Sequence, residues 1–218
     1  MKTLEQTQKV YNEDYFRYQR KIGEFGGWAN KDKFQKYITS TDKVIDFGCG
    51  GGYLLKQLNC GAKIGIEVNE SARQVAKLNG IKIIGSYEDV PDEWADIIIS
   101  NHVLEHTSRP LDELIALRQK LKPGGKIIFV VPSEGVYHKY KAKDLNHHLY
   151  TWSPMCLGNL FESAGYNVLE SKSLFHRWPP KYRLIAKFGK PVFNTFCKIY
   201  GYLTASSLAQ SRVVAIKT

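Results

Sequence analysis

A glycine-rich segment that follows an apolar run constrains this chain more than any other feature of its sequence. Residues 44–47 (VIDF) are typical of a buried strand, residues 46–52 (DFGCGGG) place glycines at 48, 50 and 52, and a helical pattern begins at Tyr53. Glycine accepts a positive φ and lets a ligand approach the backbone, and the helix that follows offers free N–H groups. The segment therefore predicts a nucleotide-binding turn between a strand and a helix.

The spacing of these glycines separates the turn from two better-known patterns. It is D-x-G-x-G-x-G, which differs from the dinucleotide pattern G-x-G-x-x-G and from the phosphate loop G-x-x-x-x-G-K-[ST]. A second strand ends in Glu67, 15 residues after Gly52. An acid at this place can accept hydrogen bonds from both ribose hydroxyls, and its charge disfavours a 2′-phosphate.

Short apolar runs alternate with helical patterns along the chain, which predicts βαβ units around a parallel sheet. The predicted strands are 44–47, 63–66, 81–84, 96–100, 126–131, 166–174 and 212–216. The predicted helices are 53–58, 71–79, 110–121 and 154–164, with Ser71 as an N-cap and with Gly80 and Gly165 as stops. Residues 1–40 form a separate aromatic and charged cap, and residues 177–208 form a helical insertion.

Length and composition indicate one globular domain, because 218 residues are enough for one core and the chain is 43% hydrophobic and 24% charged. The N-terminus has no apolar core of signal-peptide length, and no stretch of about 18 apolar residues occurs. The four cysteines form no C-x-x-C pair. We therefore expect a cytoplasmic, reduced protein with no membrane span, no zinc site and no disulfide framework.

Positive charge is concentrated in the last third of the chain. The net charge is +10, and residues 136–218 hold 12 Lys and Arg residues against three acids. Such a face can attract nucleic acid, an anionic membrane surface or a phosphorylated substrate, or can be an ordinary solvated surface.

Four motifs in this order make the chain similar to class I S-adenosylmethionine-dependent methyltransferases. The glycine turn resembles the first motif of that family, and residues 64–67 (IGIE) resemble the second. Residues 94–106 (WADIIISNHVLEH) resemble the fourth-strand signature, including the L-E-H ending of many small-molecule members, and residues 121–126 (LKPGGK) resemble the turn before strand five.

The resemblance implies an α/β fold with a Rossmann-like, seven-stranded, mostly parallel sheet in the order 3-2-1-4-5-7-6. Its strand 7 is antiparallel, helices cover both faces, and the N-terminal helical cap and C-terminal helical insertion are additions. Residues 41–135 would form the cofactor-binding core and 136–218 the substrate-side half of a single domain. The cofactor would be S-adenosylmethionine, with S-adenosylhomocysteine as product.

Site residues are carried over from the family motifs. Asp46 would hold the loop and the methionine ammonium, Gly48 and Gly50 would lie against the methionine and ribose, and Glu67 would bind the ribose. Ser86 stands where the family usually has Asp, so Ser86, the Tyr87 backbone or Glu88 would hold the adenine amine. The full cofactor set is Asp46, Gly48, Cys49, Gly50, Gly52, Glu67, Val68, Ser86, Tyr87, Glu88, Asn101 and His102.

Histidine is the natural base if the acceptor is a hydroxyl, and all six histidines follow position 101. We expect His147 or His148 to be the base or to position the acceptor, unless both are surface residues, and His102 to flank the methyl group. His102, Glu105 and His106 resemble the metal-associated E-x-x-E-H of ubiquinone-pathway O-methyltransferases. Because His102 replaces the first acid, we predict local packing and capping roles and no metal ligands.

Four residues are candidates for acceptor binding: His106, Tyr150, Arg177 and Trp178. Aromatic faces stack on sugars and apolar rings, and Arg pairs with phosphate. The N-terminal aromatics are candidates for a lid over the cofactor or for packing: Tyr11, Tyr15, Tyr18 and Trp28.

The acceptor favoured by the sequence is a sugar or nucleotide-linked sugar of bacterial cell-surface glycan synthesis. A lipid-quinone O-methyltransferase is the alternative if the basic, aromatic insertion binds a membrane peripherally. A nucleic-acid methyltransferase is disfavoured, because N-H-V-L follows strand four in place of (N/D)-P-P-(Y/F) and no RNA-binding module is visible. A non-catalytic protein with this fold is the remaining alternative.

Overall fold

The computed structural model of the chain describes residues 13–135, 137–142, 144 and 146–218, with side chains from residue 22 onward. The helices of this part are α1 (Glu13–Phe34), α2 (Tyr53–Gln57), α3 (Glu70–Leu78), α4 (Pro110–Lys120), α5 (Pro154–Ser163), α6 (Tyr182–Ala186) and α7 (Lys190–Leu203). The strands are β1 (Lys43–Phe47), β2 (Ala62–Ile66), β3 (Lys82–Ile84), β4 (Ala95–Asn101), β5 (Leu121–Glu134), β6 (Tyr166–Leu174) and β7 (Leu208–Lys217).

The strands form one seven-stranded sheet in the order β3-β2-β1-β4-β5-β7-β6. Strands β1 to β5 pair in parallel, and β7 is antiparallel to both β5 and β6. This confirms the order and the antiparallel last strand that the resemblance implied. The carboxyl ends of the neighbouring strands β2, β1 and β4 therefore meet at one edge, which is where an open α/β sheet binds its ligands.

Helices cover both faces of the sheet, as expected. Leu117 of α4 and Phe161 of α5 are fully buried in the core on one face. Phe34 of α1, Leu55 of α2 and Ala76 of α3 are fully buried in the core on the other. A strand buried on both sides needs apolar residues in succession, which is why the runs in β1 and β4 are not alternating.

Some element bounds differ from the predicted ones for local reasons. Helix α3 begins before Ser71, because the Asn69 side chain accepts a hydrogen bond from the Ala72 amide at 3.0 Å and caps the helix instead. Strand β5 begins at Leu121, which pairs with Ala95, and a register shift then absorbs the predicted turn. Strand β7 begins at Leu208 because it pairs along the whole extended end of β5.

The N-terminal helix, which the sequence sets apart as a cap, packs against the C-terminal insertion. Five rings from α1, from α6 and α7 and from the segment before α6 form what we call the aromatic cluster: Phe25, Trp28, Trp178, Tyr182 and Phe193. Of the lid candidates, Trp28 therefore has a packing role. Tyr11 and the side chains of Tyr15 and Tyr18 lie outside the described residues.

Candidate functional site

The glycine turn after β1 is fastened to the end of β2. The amides of Gly48 and Cys49 donate to the Ile66 carbonyl at 2.9 and 3.1 Å. The Glu67 carboxylate accepts hydrogen bonds from the Gly50 amide at 2.8 Å and from the Asn69 amide at 2.8 Å. Glu67 is thus oriented by backbone donors and keeps acceptor capacity for a ligand.

Gly50 marks the place where a ligand can approach the backbone. Its φ is +53°, and a Cβ built there would meet no atom within 4 Å. Gly48 has a φ of +72°, but a Cβ there would lie 2.3 Å from the Val103 side chain. Gly48 therefore allows the turn to pack on the residues after β4, and Gly50 keeps space for the ligand.

A cavity of about 1180 Å³ runs along the carboxyl ends of β2, β1 and β4 and extends beneath the C-terminal insertion. Sixteen predicted site residues line it: Asp46, Gly48, Cys49, Gly50, Glu67, Val68, Ser86, Tyr87, Glu88, Asn101, His102, His106, His147, His148, Arg177 and Trp178. Two others lie elsewhere. Gly52 is the N-cap of α2, and Tyr150 stacks on Trp152 with ring centroids 5.3 Å apart.

The cofactor end of the cavity is prepared for a cation. Burial and the nearby Glu67 carboxylate raise the pKa of Asp46 to about 8, and burial also raises the pKa of Glu67. The Oδ1 atom of Asn101 is buried without a hydrogen-bond partner among the described residues. An ammonium and a sulfonium would compensate these groups, so the residues present fit S-adenosylmethionine.

The turn after β3 carries the three residues predicted to bind adenine. The Ser86 hydroxyl oxygen accepts a hydrogen bond from the Glu88 amide at 3.2 Å and caps the short turn Tyr87–Asp89. Its O–H remains a donor, and the three adenine candidates still lie side by side.

A cluster of histidines and carboxylates follows β4, and we call it the histidine cluster: His102, Glu105, His106, Glu134 and His148. Nδ1 of His148 lies 2.7 Å from Oε1 of Glu134, and Nε2 lies 4.0 Å from Oε1 of Glu105. The loop that carries His148 is held there because the amides of Leu149 and Tyr150 donate to the Glu105 carbonyl.

Glu105 is fully buried, and neither of its carboxylate oxygens accepts a hydrogen bond from the described residues. Its Oε1 lies 3.3 Å from Nδ1 of His102 and 3.9 Å from Nε2 of His106. Burial lowers the pKa of His106 to about 4, so that ring is neutral at pH 7.

His102 and His147, two of the histidines predicted at the site, have left-handed backbones, with φ of 60° and 47°. Residues other than glycine adopt the left-handed conformation at a cost in free energy, and such strained residues cluster at functional sites. His147 is exposed, whereas His148 is half-buried in the histidine cluster. The structure thus separates two neighbours that the sequence left equivalent.

Glu105, His106 and His148 each offer one ligand atom, and these atoms lie within 4.8 Å of one another. This group could hold a metal ion. It differs from the set His102, Glu105 and His106 that the sequence motif presents, because His148 comes from the loop after β5. The absence of metal ligands therefore stays a prediction.

The other end of the cavity is cationic, and sequence reasoning missed its main residue. Lys33 of α1 is buried, lines the cavity and donates to Oε1 of Gln210 at 2.8 Å. Burial lowers the pKa of Lys33 to about 7. Arg177 and His176 line the same end. No local pattern distinguishes Lys33 from the other charged residues of α1, so only its packing reveals it.

Glycines in α1 were also missed as contributors to the site. Gly23, Gly26 and Gly27 line the cavity. A Cβ at Gly27 would lie 2.3 Å from the Tyr53 carbonyl oxygen, so α1 can cross the start of α2 only because this residue is glycine. The sequence does carry a signal for this contact: each glycine weakens a helix, so three glycines within one helix indicate that another segment packs closely against it.

The sheet order, the glycine turn and the acid after β2 define a class I S-adenosylmethionine-dependent methyltransferase. A family model described as a methyltransferase domain matches residues 11–171, so the chain belongs to that family. A methyltransferase domain of this fold takes S-adenosylmethionine as its cofactor.

Relatives and solved structures agree with the family. A ubiquinone biosynthesis O-methyltransferase of Nitrosococcus oceani is 35% identical over 101 residues, 40% of this chain and 42% of that protein. A tRNA U34 carboxymethyltransferase of Hydrogenovibrio crunogenus is 28% identical over 159 residues, 62% of this chain and 48% of that protein. An S-adenosylmethionine-dependent methyltransferase structure from Thermotoga maritima has a TM-score of 0.69 at 18% identity, covering 97% of this chain and all of that one.

The chain spans about half or less of the length of the curated relatives it matches. The shared part therefore identifies the family and its cofactor, while the acceptor of each relative belongs to that relative.

Proposed function

We propose that this chain transfers the methyl group of S-adenosylmethionine to a hydroxyl oxygen of a small acceptor that carries an anionic group. One observation supports this most: the cavity has acids at its cofactor end, cations at its other end and a histidine–carboxylate cluster along its wall. In the transfer, an O–C bond forms and the C–S bond breaks, the sulfonium becomes a thioether, and the hydroxyl proton passes to a base.

His148 is the base in this proposal. A carboxylate can only accept a hydrogen bond from Nδ1, so Glu134 keeps the proton on Nδ1 and leaves Nε2 to take the proton of the acceptor. The carboxylates of Glu134 and Glu105 then stabilise the imidazolium that forms. His102, whose ring also approaches Glu105, positions the acceptor near the methyl group.

The cationic end supports an anionic acceptor. Lys33 and Arg177 line this end, and the acids that line the cavity lie toward the cofactor: Asp46, Glu67, Glu88 and Glu113. A phosphate or carboxylate there would give Lys33 the counter-charge that its buried position lacks. Trp178 offers an aromatic face beside these cations.

The names of the relatives do not support the sugar acceptor that the sequence favoured. One relative is an O-methyltransferase of ubiquinone biosynthesis and another modifies tRNA. The histidine cluster agrees with oxygen methylation, so we propose an anionic, partly apolar hydroxyl compound ahead of RNA. We also propose a cytoplasmic location, because all four cysteines are free thiols.

The experiment is an acceptor screen that counts S-adenosylhomocysteine released by the purified chain. Hydroxyl compounds are tested in pairs, each with a phosphate or carboxylate and with a neutral replacement of that group. We expect turnover for anionic members only, with and without a chelator. If the chain binds S-adenosylhomocysteine but turns over only neutral or nitrogen acceptors, the proposed acceptor is wrong. If a chelator abolishes turnover, Glu105, His106 and His148 are metal ligands and His148 is not the base.

A further inference from the structure

Helix α7 carries an apolar stripe that faces solvent. Its members follow helical spacing, and their exposed fractions run from 38% at Val192 through 49% at Phe196 and 54% at Ile199 to 72% at Leu203. Tyr202 is also 71% exposed, and so is Phe188, two residues before the helix. Single exposed apolar residues are common, but a continuous stripe on one helix face indicates an interaction surface.

The stripe does not hold the helix in the fold. Phe193 and Cys197, on a different face of α7, are fully buried with Ala29 of α1. The Asn194 amide donates to Asp32 at 2.8 Å and strengthens this attachment. The helix therefore has one apolar face that packs and a second one that the fold leaves uncovered.

The part of the chain that carries the exposed stripe is rich in cations, and one acid, Asp32 of α1, contacts α7 through Asn194 and Lys190. No Asp or Glu follows Glu170, whereas nine Lys and Arg residues do. Four exposed ones lie at the start of α6, in α6, between α6 and α7, and on α7: Lys181, Arg183, Lys187 and Lys198. Such a surface combines apolar area with positive charge. These are the two properties that a helix needs in order to bind the surface of an anionic bilayer.

We propose that the outer face of α7, defined by Val192, Phe196, Ile199 and Leu203, is a membrane-docking surface for anionic lipid. The four side chains would enter the boundary between headgroups and acyl chains, with the helix parallel to the bilayer. The neighbouring lysines would contact the lipid phosphates. In the described part of the chain, no helix has the length and apolar character needed to cross the bilayer.

The observations favour lipid over the other partners. Nucleic-acid interfaces are polar and cationic, so they do not account for aliphatic side chains repeated along the helix. A second copy of the chain would bring two cationic faces together, and like charges oppose such contact. Lipid phosphates would pair with the cations, and the acyl chains would bury the apolar stripe.

The docking surface is close to the substrate end of the cavity. Gly201 of α7 lines the cavity, and a Cβ there would lie 2.9 Å from the His176 amide nitrogen. The same helix would thus meet the bilayer on one side and border the cavity on the other. The surface itself stands on exposure and charge and is independent of which acceptor is methylated.

The test is co-sedimentation of the full chain with vesicles of phosphatidylcholine alone and of phosphatidylcholine with phosphatidylglycerol. We expect binding to the anionic vesicles that falls as salt is raised. Phe196→Ser with Ile199→Ser removes apolar area, and Lys187→Glu with Lys198→Glu reverses two charges. Each pair should weaken the partition coefficient by about tenfold or more.

The control pair is Leu78→Ser with Lys77→Glu, since both residues are exposed at the end of α3. It should bind vesicles as the natural chain does, and unchanged affinity for S-adenosylhomocysteine shows that every variant is folded. Equal partition of the α7 variants and the natural chain would overturn the proposal. The proposal would also be overturned if, without vesicles, the natural chain formed a dimer or bound tRNA and the Phe196→Ser, Ile199→Ser variant did not.

Discussion

Nδ1 of His148 and Oε1 of Glu134 are 2.7 Å apart, although the two residues belong to opposite ends of the loop that follows β5. The Glu134 amide donates to the Thr151 hydroxyl at 2.7 Å, which closes the ends of this loop on each other. The proposed base and the carboxylate that would orient it thus come from the end of β5 and the loop that follows it, and the Glu105 carboxylate of the preceding crossover approaches the other nitrogen.

Replacement of His148 by Ala should lower kcat by about 10²-fold or more, because a positioned general base contributes about 10² to 10⁴. Glu134→Gln should have a smaller effect in the same direction, since the imidazole keeps its place and loses its counter-charge. Turnover and calorimetric affinity for S-adenosylhomocysteine are both measured. His138→Ala is the matched control, since His138 is exposed on the same loop. Full activity of His148→Ala would remove it from the mechanism.

Replacement of Glu67 by Ala should weaken the binding of S-adenosylhomocysteine by about tenfold or more. The ribose hydroxyls lose a charged acceptor, and each such hydrogen bond is worth about 1.5 to 3 kcal/mol. Calorimetry measures the affinity, and circular dichroism checks the fold because Glu67 also binds the Gly50 amide. The control is Glu70→Ala at an exposed acid three residues further on. Equal affinity in a folded Glu67 variant would contradict the ribose assignment.

Asp46 should make the protein without cofactor less stable as pH rises. Its pKa is about 8 in the fold against an ordinary value of 3.8, so the folded chain binds the extra proton between these limits. The free energy of unfolding therefore falls with pH in this window. The free energy of unfolding of Asp46→Asn, relative to that of the natural chain, should rise by about 1 kcal/mol per pH unit between pH 5 and 8.

Chemical denaturation at several pH values, without cofactor, measures the two chains side by side. The difference between them isolates Asp46 from the histidines that titrate in the same range. A constant difference from pH 5 to 8 would show that Asp46 is ionised throughout. Asp46→Asn should also bind S-adenosylmethionine more weakly, since it removes the charge opposite the methionine ammonium.

Replacement of Lys33 by Met should raise KM for the anionic acceptor by about tenfold or more while kcat changes little, because charge-assisted hydrogen bonds carry much of such binding. KM for the neutral member of the acceptor pair should not change. Lys36→Met, at an exposed lysine three residues along, is the control. An equal loss for both acceptors would mean that Lys33 supports the fold rather than the anionic group.

Most of the residues that line the cavity near the glycine turn could be predicted, because they are local in sequence. The turn at Gly48 to Gly52, the acid at Glu67 and the end of β4 each follow a strand directly. Parallel strands bring their carboxyl ends to one edge, so correct strands place these residues together without further information. Gly52 is the exception, since its side of the turn packs on Ile81 rather than on the cavity.

The residues at the other end of the cavity could not be predicted from local sequence patterns. Lys33 and Gln210 are 177 positions apart, and their hydrogen bond depends on α1 packing against the insertion. The choice between His147 and His148 depends on the loop path that the Glu105 carbonyl fixes. Such contacts come from long-range packing, for which the chain carries no periodic signal.

The sequence by itself determined the fold, the family and the cofactor of this protein, because buried strands, glycine spacing and the residue after each strand are local properties. Only the tertiary structure decided that the His148 ring lies against the Glu134 carboxylate, that Lys33 enters the cavity and that one apolar face of α7 stays exposed. These depend on burial and on contacts between distant segments, and the same residue type at another place in the fold would have a different charge and a different neighbour.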